Sequence, residues 1–350
     1  MKKITQFLFL ALSVSLFVSC SNDDSDNPKG VYDDGFFILN EGSADGGSVS
    51  FVGEDLSTFN ADVYKTVNGA DFVGKYLQNI FFDGDKAYII SGGSNVINVV
   101  NRYTFQLIAK IDSDLANPRY GVVKDGKAYV TNANTYSYSN PATGDTDDYV
   151  AVINLTTNKV ESKIALNSTA NRIIEENNKL YITDASNSKL LILNPSTKAL
   201  EGSVEIGFGA NSMEEEDGYL YILKNSYSDR SEIVKVKLSD KTIAKITFPE
   251  SLDSGQGFLD IEDNKIYYTA NNDVYVMSTS ATAASTTPIF TAAISTDGSI
   301  YGFAVEDDKI YVSDSGDYAS NSKAFVYNLS GALLKDFTVG IAPNGFYFND

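Results

Sequence analysis

A short pattern recurs seven times along this chain, and it constrains the fold more than any other feature. An acidic or amide turn, often with Lys after it, leads into an apolar residue, an aromatic, and Ile or Val. The copies are Asp34-Gly35-Phe36-Phe37-Ile38, Asp85-Lys86-Ala87-Tyr88-Ile89, Gly126-Lys127-Ala128-Tyr129-Val130 and Asn178-Lys179-Leu180-Tyr181-Ile182. They continue as Gly218-Tyr219-Leu220-Tyr221-Ile222, Asn264-Lys265-Ile266-Tyr267-Tyr268 and Asp308-Lys309-Ile310-Tyr311-Val312. Successive aromatics stand 40 to 52 residues apart, the period of a unit of four short strands that cannot bury its faces alone and must stack on its neighbours. The turns before the pattern, Asp83-Gly84, Asp125-Gly126, Asn177-Asn178, Asp217-Gly218 and Asp263-Asn264, are of residues that tolerate the positive φ of a two-residue hairpin. Each therefore joins a first strand to a second.

The rest of each repeat agrees. Third strands read as Val150-Ala151-Val152-Ile153, Leu190-Leu191-Ile192-Leu193 and Ala324-Phe325-Val326-Tyr327, and edge strands begin near Val160 and Leu200. No segment sustains a 3.6-residue apolar period, so the fold class is all-β with helix essentially absent. The chain ends in Gly345-Phe346-Tyr347-Phe348-Asn349-Asp350, a first strand running up to its turn, and the first copy of the pattern is a second strand without a first. The two complete one another. The expected fold is a seven-bladed β-propeller of four-stranded antiparallel blades, the first closed by the C-terminal strand, which leaves no unpaired edge at the seam.

Residues 1–19 read as an export signal rather than as structure. Lys2 and Lys3 precede the apolar run Phe7 to Phe17, which is too short to span a bilayer, and Phe17-Val18-Ser19-Cys20 places small residues before the sole cysteine. That is the arrangement a lipoprotein signal peptidase needs, so Cys20 is expected to carry the lipid. Residues 20–30 form a polar, acidic tether beginning Ser21-Asn22-Asp23-Asp24-Ser25-Asp26, and residues 31–350 form the propeller. The acidic run after the cysteine resembles the signal that sends Bacteroidota lipoproteins to the outer face of the outer membrane, the periplasmic face being the alternative. With 46 acidic and 27 basic residues the net charge is −19. Phosphate backbones and anionic lipid repel such a protein, so nucleic acid is not an expected partner and the membrane is met only through the Cys20 lipid.

The N-terminal Gly35-Phe36-Phe37-Ile38-Leu39-Asn40-Glu41-Gly42 with Gly47-Ser48-Val49-Ser50-Phe51, the C-terminal Gly340-Ile341-Ala342-Pro343-Asn344-Gly345-Phe346 and the Asp-Gly-Lys-x-Tyr-Val repeats together resemble the YVTN/YncE-like propellers, and among them the Bacteroidota surface lipoproteins. The likeness spans essentially the whole mature chain. It implies a surface accessory that captures a small nutrient, a cobalamin-like cofactor foremost, and passes it to a TonB-dependent outer-membrane transporter. It supplies no ligand motif that can be carried over residue by residue, because propellers keep their fold while their loops exchange function.

In this fold the chain entering first strands and the loops leaving second strands share one face around the axis. The unrepeated residues there are the candidate ligand-binding set: Arg119, Tyr120, Asn134, Tyr136, Tyr138, Arg172, Asn211, Tyr227, Arg230, Phe258, Tyr301 and Tyr318. Tyrosine offers flat apolar contact with a polar tip, and Asn and Arg fix orientation by hydrogen bonds. The repeated tyrosines, by contrast, are expected to pack blade against blade. The acidic groups Asp145, Asp147, Asp148 and Asp314, Asp317 carry the oxygens that Ca²⁺ takes, but no EF-hand spacing. Calcium is the one metal left open, and no cofactor is required. The chain has no histidine, which removes imidazole-based nucleophile activation and His-ligated zinc, so no enzyme is expected. Two further readings stand beside ligand capture: a protein- or glycan-binding adhesion propeller, and a metal-dependent lactonase- or glycan-active enzyme.

Overall fold

The computed structural model describes residues 29–135, 146–184, 186–225, 230–252 and 257–349. The expected lipidation site Cys20, the expected export signal and most of the expected tether lie outside them, as do Tyr136, Tyr138, Tyr227 and Asp145. The described residues form seven four-stranded antiparallel sheets arranged as the blades of a ring. The inner strands, in ring order, are Pro343–Phe348, Leu77–Asp83, Pro118–Lys124, Ile173–Glu176, Ala210–Glu216, Leu259–Glu262 and Ile300–Glu306. The first of them comes from the C-terminus and pairs with Gly35–Ser43, setting Phe36 opposite Phe348 and Phe37 opposite Tyr347. The ring thus closes where the sequence places its seam.

The turn chemistry explains the hairpins. Asp125-Gly126, Asn177-Asn178, Asp217-Gly218, Asp263-Asn264 and Asp307-Asp308 all hold φ between +49° and +77° at both positions, the type I′ geometry whose twist matches that of the flanking strands. In the second blade the loop lies one residue later than the sequence suggests: Asp83 pairs with Lys86, leaving Gly84-Asp85 as the turn. Among the described residues, helix is confined to one short segment, Val63–Asn68, capped by Asp62, and a 3₁₀ turn, Glu250–Leu252.

The repeated tyrosines pack between blades. Tyr88, Tyr129, Tyr181, Tyr221, Tyr267 and Tyr311 are all at most 4% exposed. Tyr129, Val150 and Val152 of one blade share a cluster with Ile173, Leu180, Ile182 and Leu191 of the next, and burying side chains of this size contributes about 1.5–3 kcal/mol each.

Around the axis, a complete circuit of hydrogen bonds ties each blade to its successor. Asn344 donates to the Leu77 carbonyl (2.8 Å), and Gly121 N–H donates to Asn79 (3.2 Å). Thr131 donates to the Asn171 carbonyl (2.8 Å), and Arg172 Nε to the Asn211 carbonyl (3.1 Å). Ser212 donates to the Leu259 carbonyl (2.9 Å), Val305 N–H to Asp260 (2.8 Å), and Ser313 to the Pro343 carbonyl (2.5 Å). Hydrophobic burial between the blades is not itself directional. Directional bonds at the axis fix their register.

Candidate functional site

The inner strands begin on one face, called upper here, and their first residues surround the channel mouth. Counting back ten residues from each repeated tyrosine gives Gln78, Arg119, Asn171, Asn211, Gly257 and Tyr301. All but Gly257 line one cavity of about 200 Å³, together with Glu41, Tyr120, Arg172, Phe258 and Asn344. Six of the twelve candidate residues therefore meet here: Arg119, Tyr120, Arg172, Asn211, Phe258 and Tyr301. The fold repeats the position but not the residue.

The mouth is a polar assembly held by mutual contacts. The Arg172 guanidinium lies 4.2 Å from the centre of the Tyr120 ring. Tyr301 donates its hydroxyl to Glu41, and Gln78 donates to the other Glu41 oxygen at 3.4 Å. Burial pushes the Glu41 carboxyl above its ordinary range, opposed by the Tyr301 hydrogen bond and by the nearby Arg119 charge. Three enclosed polar atoms here have no hydrogen-bond partner among the described residues: Arg119 Nε, Asn171 Oδ1 and Asn344 Oδ1. Buried polar atoms are seldom left so, and their clustering at one mouth marks a surface with unused recognition capacity.

Below the mouth the channel continues as a shaft of about 250 Å³ that shares Arg172, Phe258 and Asn344 with it. The inner-strand residues opposite the repeated aromatics are Phe81, Val122, Ile174, Ala304 and Tyr347 in five blades. In the two neighbouring blades that remain, they are Glu214 and Asp260. Both carboxyls line the shaft and both are pushed up by loss of solvent, Asp260 to about 7. Asp260 accepts from the Val305 and Ile261 N–H groups and so belongs to the inter-blade circuit. Glu214 accepts no hydrogen bond from the described residues. Glu214 is partly exposed and lines the shaft. Arg172 is common to mouth and shaft, and carboxyls stand at both levels, Glu41 above and Glu214 and Asp260 below.

The other candidates fall elsewhere. Tyr318, half-exposed, packs edge-on against Tyr301 with ring centres 5.3 Å apart, and lines a larger off-axis groove of about 590 Å³. Asn134 donates to Asp147 (2.8 Å), and Arg230 pairs with Glu250 (3.3 Å); neither lines the mouth. Among the described acidic residues singled out for calcium, Asp147 accepts from Asn134 and Thr135, and Asp148 from the Asn134 and Ala170 N–H groups. Asp314 accepts from Ser295 and Gly316, and Asp317 from Ala319 and Ser320. Their oxygens are engaged by these contacts, and no group of three His, Cys, Asp or Glu among the described residues is placed to share a metal. Glu41, Gln78, Asn171 and Asn344 belong to the mouth although they were not in the candidate set. Their signal was available for three of them, in the ten-residue offset or in the matching place on the C-terminal strand; Glu41 arrives from a second strand, past a bulge between Asn40 and Ser43.

Residues 34–348 match the family described as "Domain of unknown function (DUF5074)", and the chain belongs to that family. No curated protein matches the chain significantly. Among solved structures, a quinoprotein alcohol dehydrogenase-like protein from Bacteroides thetaiotaomicron is similar at TM-score 0.66 and 18% identity, covering 91% of this chain and 79% of its own. The hydrazine synthase of Kuenenia stuttgartiensis is similar at TM-score 0.62 and 12% identity, over 79% and 91% of the two chains. Virginiamycin B lyase from Staphylococcus aureus is similar at TM-score 0.58 and 12% identity, over 78% and 92%. At such identities the likeness is one of fold alone.

Proposed function

We propose that this DUF5074 protein is a ligand-capture propeller whose upper mouth binds a small polar nutrient, a cobalamin-like cofactor foremost, at the outer cell surface. The observation that carries this reading is the convergence of unrepeated Arg, Asn and aromatic side chains on one mouth, with three enclosed polar atoms unpartnered among the described residues. A cavity of about 200 Å³ is too small to engulf a corrin. Such a ligand would lie across the face and send amide arms to Arg119, Asn171 and Asn344, the pairing that amide oxygens and N–H groups favour. With no histidine in the chain, no protein imidazole would ligate cobalt, and recognition would rest on shape, stacking and hydrogen bonds.

The lipid at Cys20 and the acidic tether would hold the propeller at the membrane, and a TonB-dependent transporter would take over the ligand. The reading assigns no turnover to the protein, in keeping with its lack of imidazole. Calorimetric titration of the purified protein with cobalamin and with haem tests the ligand: a saturable heat with cobalamin is expected, and none with either would end the cofactor assignment. Protease shaving of intact cells tests the location. Loss of the propeller is expected, and full protection would contradict surface exposure.

A further inference from the structure

A second cavity lies off the axis, between the first blade with its connection to the second and the Tyr318 loop of the seventh, and its chemistry differs from that of the mouth. It measures about 590 Å³, within the range of small-molecule sites. Two aromatic rings border it, Phe72 and Tyr318, each 48% exposed. Half-exposed aromatic rings bordering a cavity offer flat apolar contact to a ligand. Both are held in place. Phe72 lies over Gly46, where a Cβ would come within 2.7 Å of the ring, and Tyr318 rests edge-on against Tyr301. The floor is Tyr64, fully buried, whose hydroxyl donates to Asp71 at 2.7 Å.

Around the rings stand hydrogen-bonding groups of one charge preference. Asp45, Asp62 and Asp71 line the groove against a single lining cation, Lys65. Asp71 is neutralised by Lys110 at 2.7 Å, and Asp62 caps the helix by accepting from Lys65 N–H at 3.1 Å. The Asp45 carboxylate makes no hydrogen bond or ion pair among the described residues. The net field therefore opposes anions. Half-exposed rings beside carboxylate acceptors match a ligand with an apolar face of C–H groups and a rim of hydroxyl donors.

We infer that this off-axis groove is a second binding site, and that it takes a neutral oligosaccharide, one sugar ring lying on Phe72 with its hydroxyls donating to Asp45. The site is separate from the mouth, so a failed cobalamin titration would leave it standing. The test is calorimetry of the purified protein with maltotriose, laminaritriose, mannotriose and chitotriose, with sialyllactose as an anionic control. Saturable binding of at least one neutral trisaccharide is expected, with Kd below about 1 mM. Phe72→Ala should weaken it at least tenfold, Asp45→Asn should weaken it severalfold, and Phe72→Tyr should retain it. Unchanged thermal unfolding of each variant separates loss of binding from loss of fold. The inference is overturned if none of the four saturates up to about 10 mM, if Phe72→Ala binds like the parent, or if sialyllactose binds more tightly than every neutral sugar.

Discussion

Glu214 carries the clearest conflict between a residue and its position. Opposite the repeated aromatic, five blades place an apolar or aromatic residue on the inner strand, whereas Glu214 sets a carboxyl there with no hydrogen bond from the described residues. Loss of solvent raises its pKa in the folded protein above that in the unfolded chain, so the folded state holds the proton more tightly. Its contribution to stability is present at acid pH and is lost as the pH rises through the folded value. The neighbouring Asp260, pushed to about 7 by the same cause, adds to that decline between about pH 4 and pH 7. Glu214→Gln removes the charge and keeps the shape. It should raise Tm relative to the parent at pH 8 and leave it unchanged near pH 4, as read by thermal unfolding across the range. A Tm difference independent of pH would show that Glu214 is not titrating in the shaft. Residues that break a local rule in this way are where function or strain is to be sought.

The strand pattern was legible in the sequence because each blade repeats both its turn and its aromatic. The Asp-Gly and Asn-Asn pairs announce type I′ hairpins, and the structure holds both residues of Asn177-Asn178 at φ +52° and +58°. An alanine tolerates that region poorly. Asn178→Ala should therefore cost about 1 kcal/mol, and Asn178→Gly should be close to neutral, a difference measurable by urea unfolding; equal stabilities would mean that the turn is not held as described. The mouth was half legible. Arg119, Asn211 and Tyr301 can be found by counting from the repeated tyrosines, whereas Glu41 comes from a bulged second strand that no count reaches. The level of Glu214 and Asp260 needs strand register, which the spacing alone does not supply. The off-axis groove was hidden because its wall includes Val63–Asn68, a helix of six residues, too short to show a period.

At the scale of the whole molecule, the ring is held shut at one place by both chain ends. The C-terminal strand fills the first blade, and beyond it Asn349, fully buried, donates to the Tyr32 and Arg102 carbonyls and accepts from Arg102 Nε. Its backbone N–H donates to the Gly35 carbonyl at 2.9 Å. Asn349→Ala leaves those partners unsatisfied and should cost about 1–3 kcal/mol, seen as a Tm lower by a few degrees with the fold retained. No change would mean that the strand pairing alone closes the ring. A closed, hydrogen-bonded axis gives the mouth a rigid frame, and rigidity is what lets a few unrepeated side chains recognise a ligand without first being ordered.

The most direct measurement is equilibrium dialysis of cobalamin against the parent protein and the Arg119→Ala/Arg172→Ala double variant, with folding checked by thermal unfolding. The expected result is saturable one-to-one binding by the parent, weakened at least tenfold, or about 1.4 kcal/mol, in the double variant. Absent saturation, or equal binding by the two proteins, would contradict capture at the mouth.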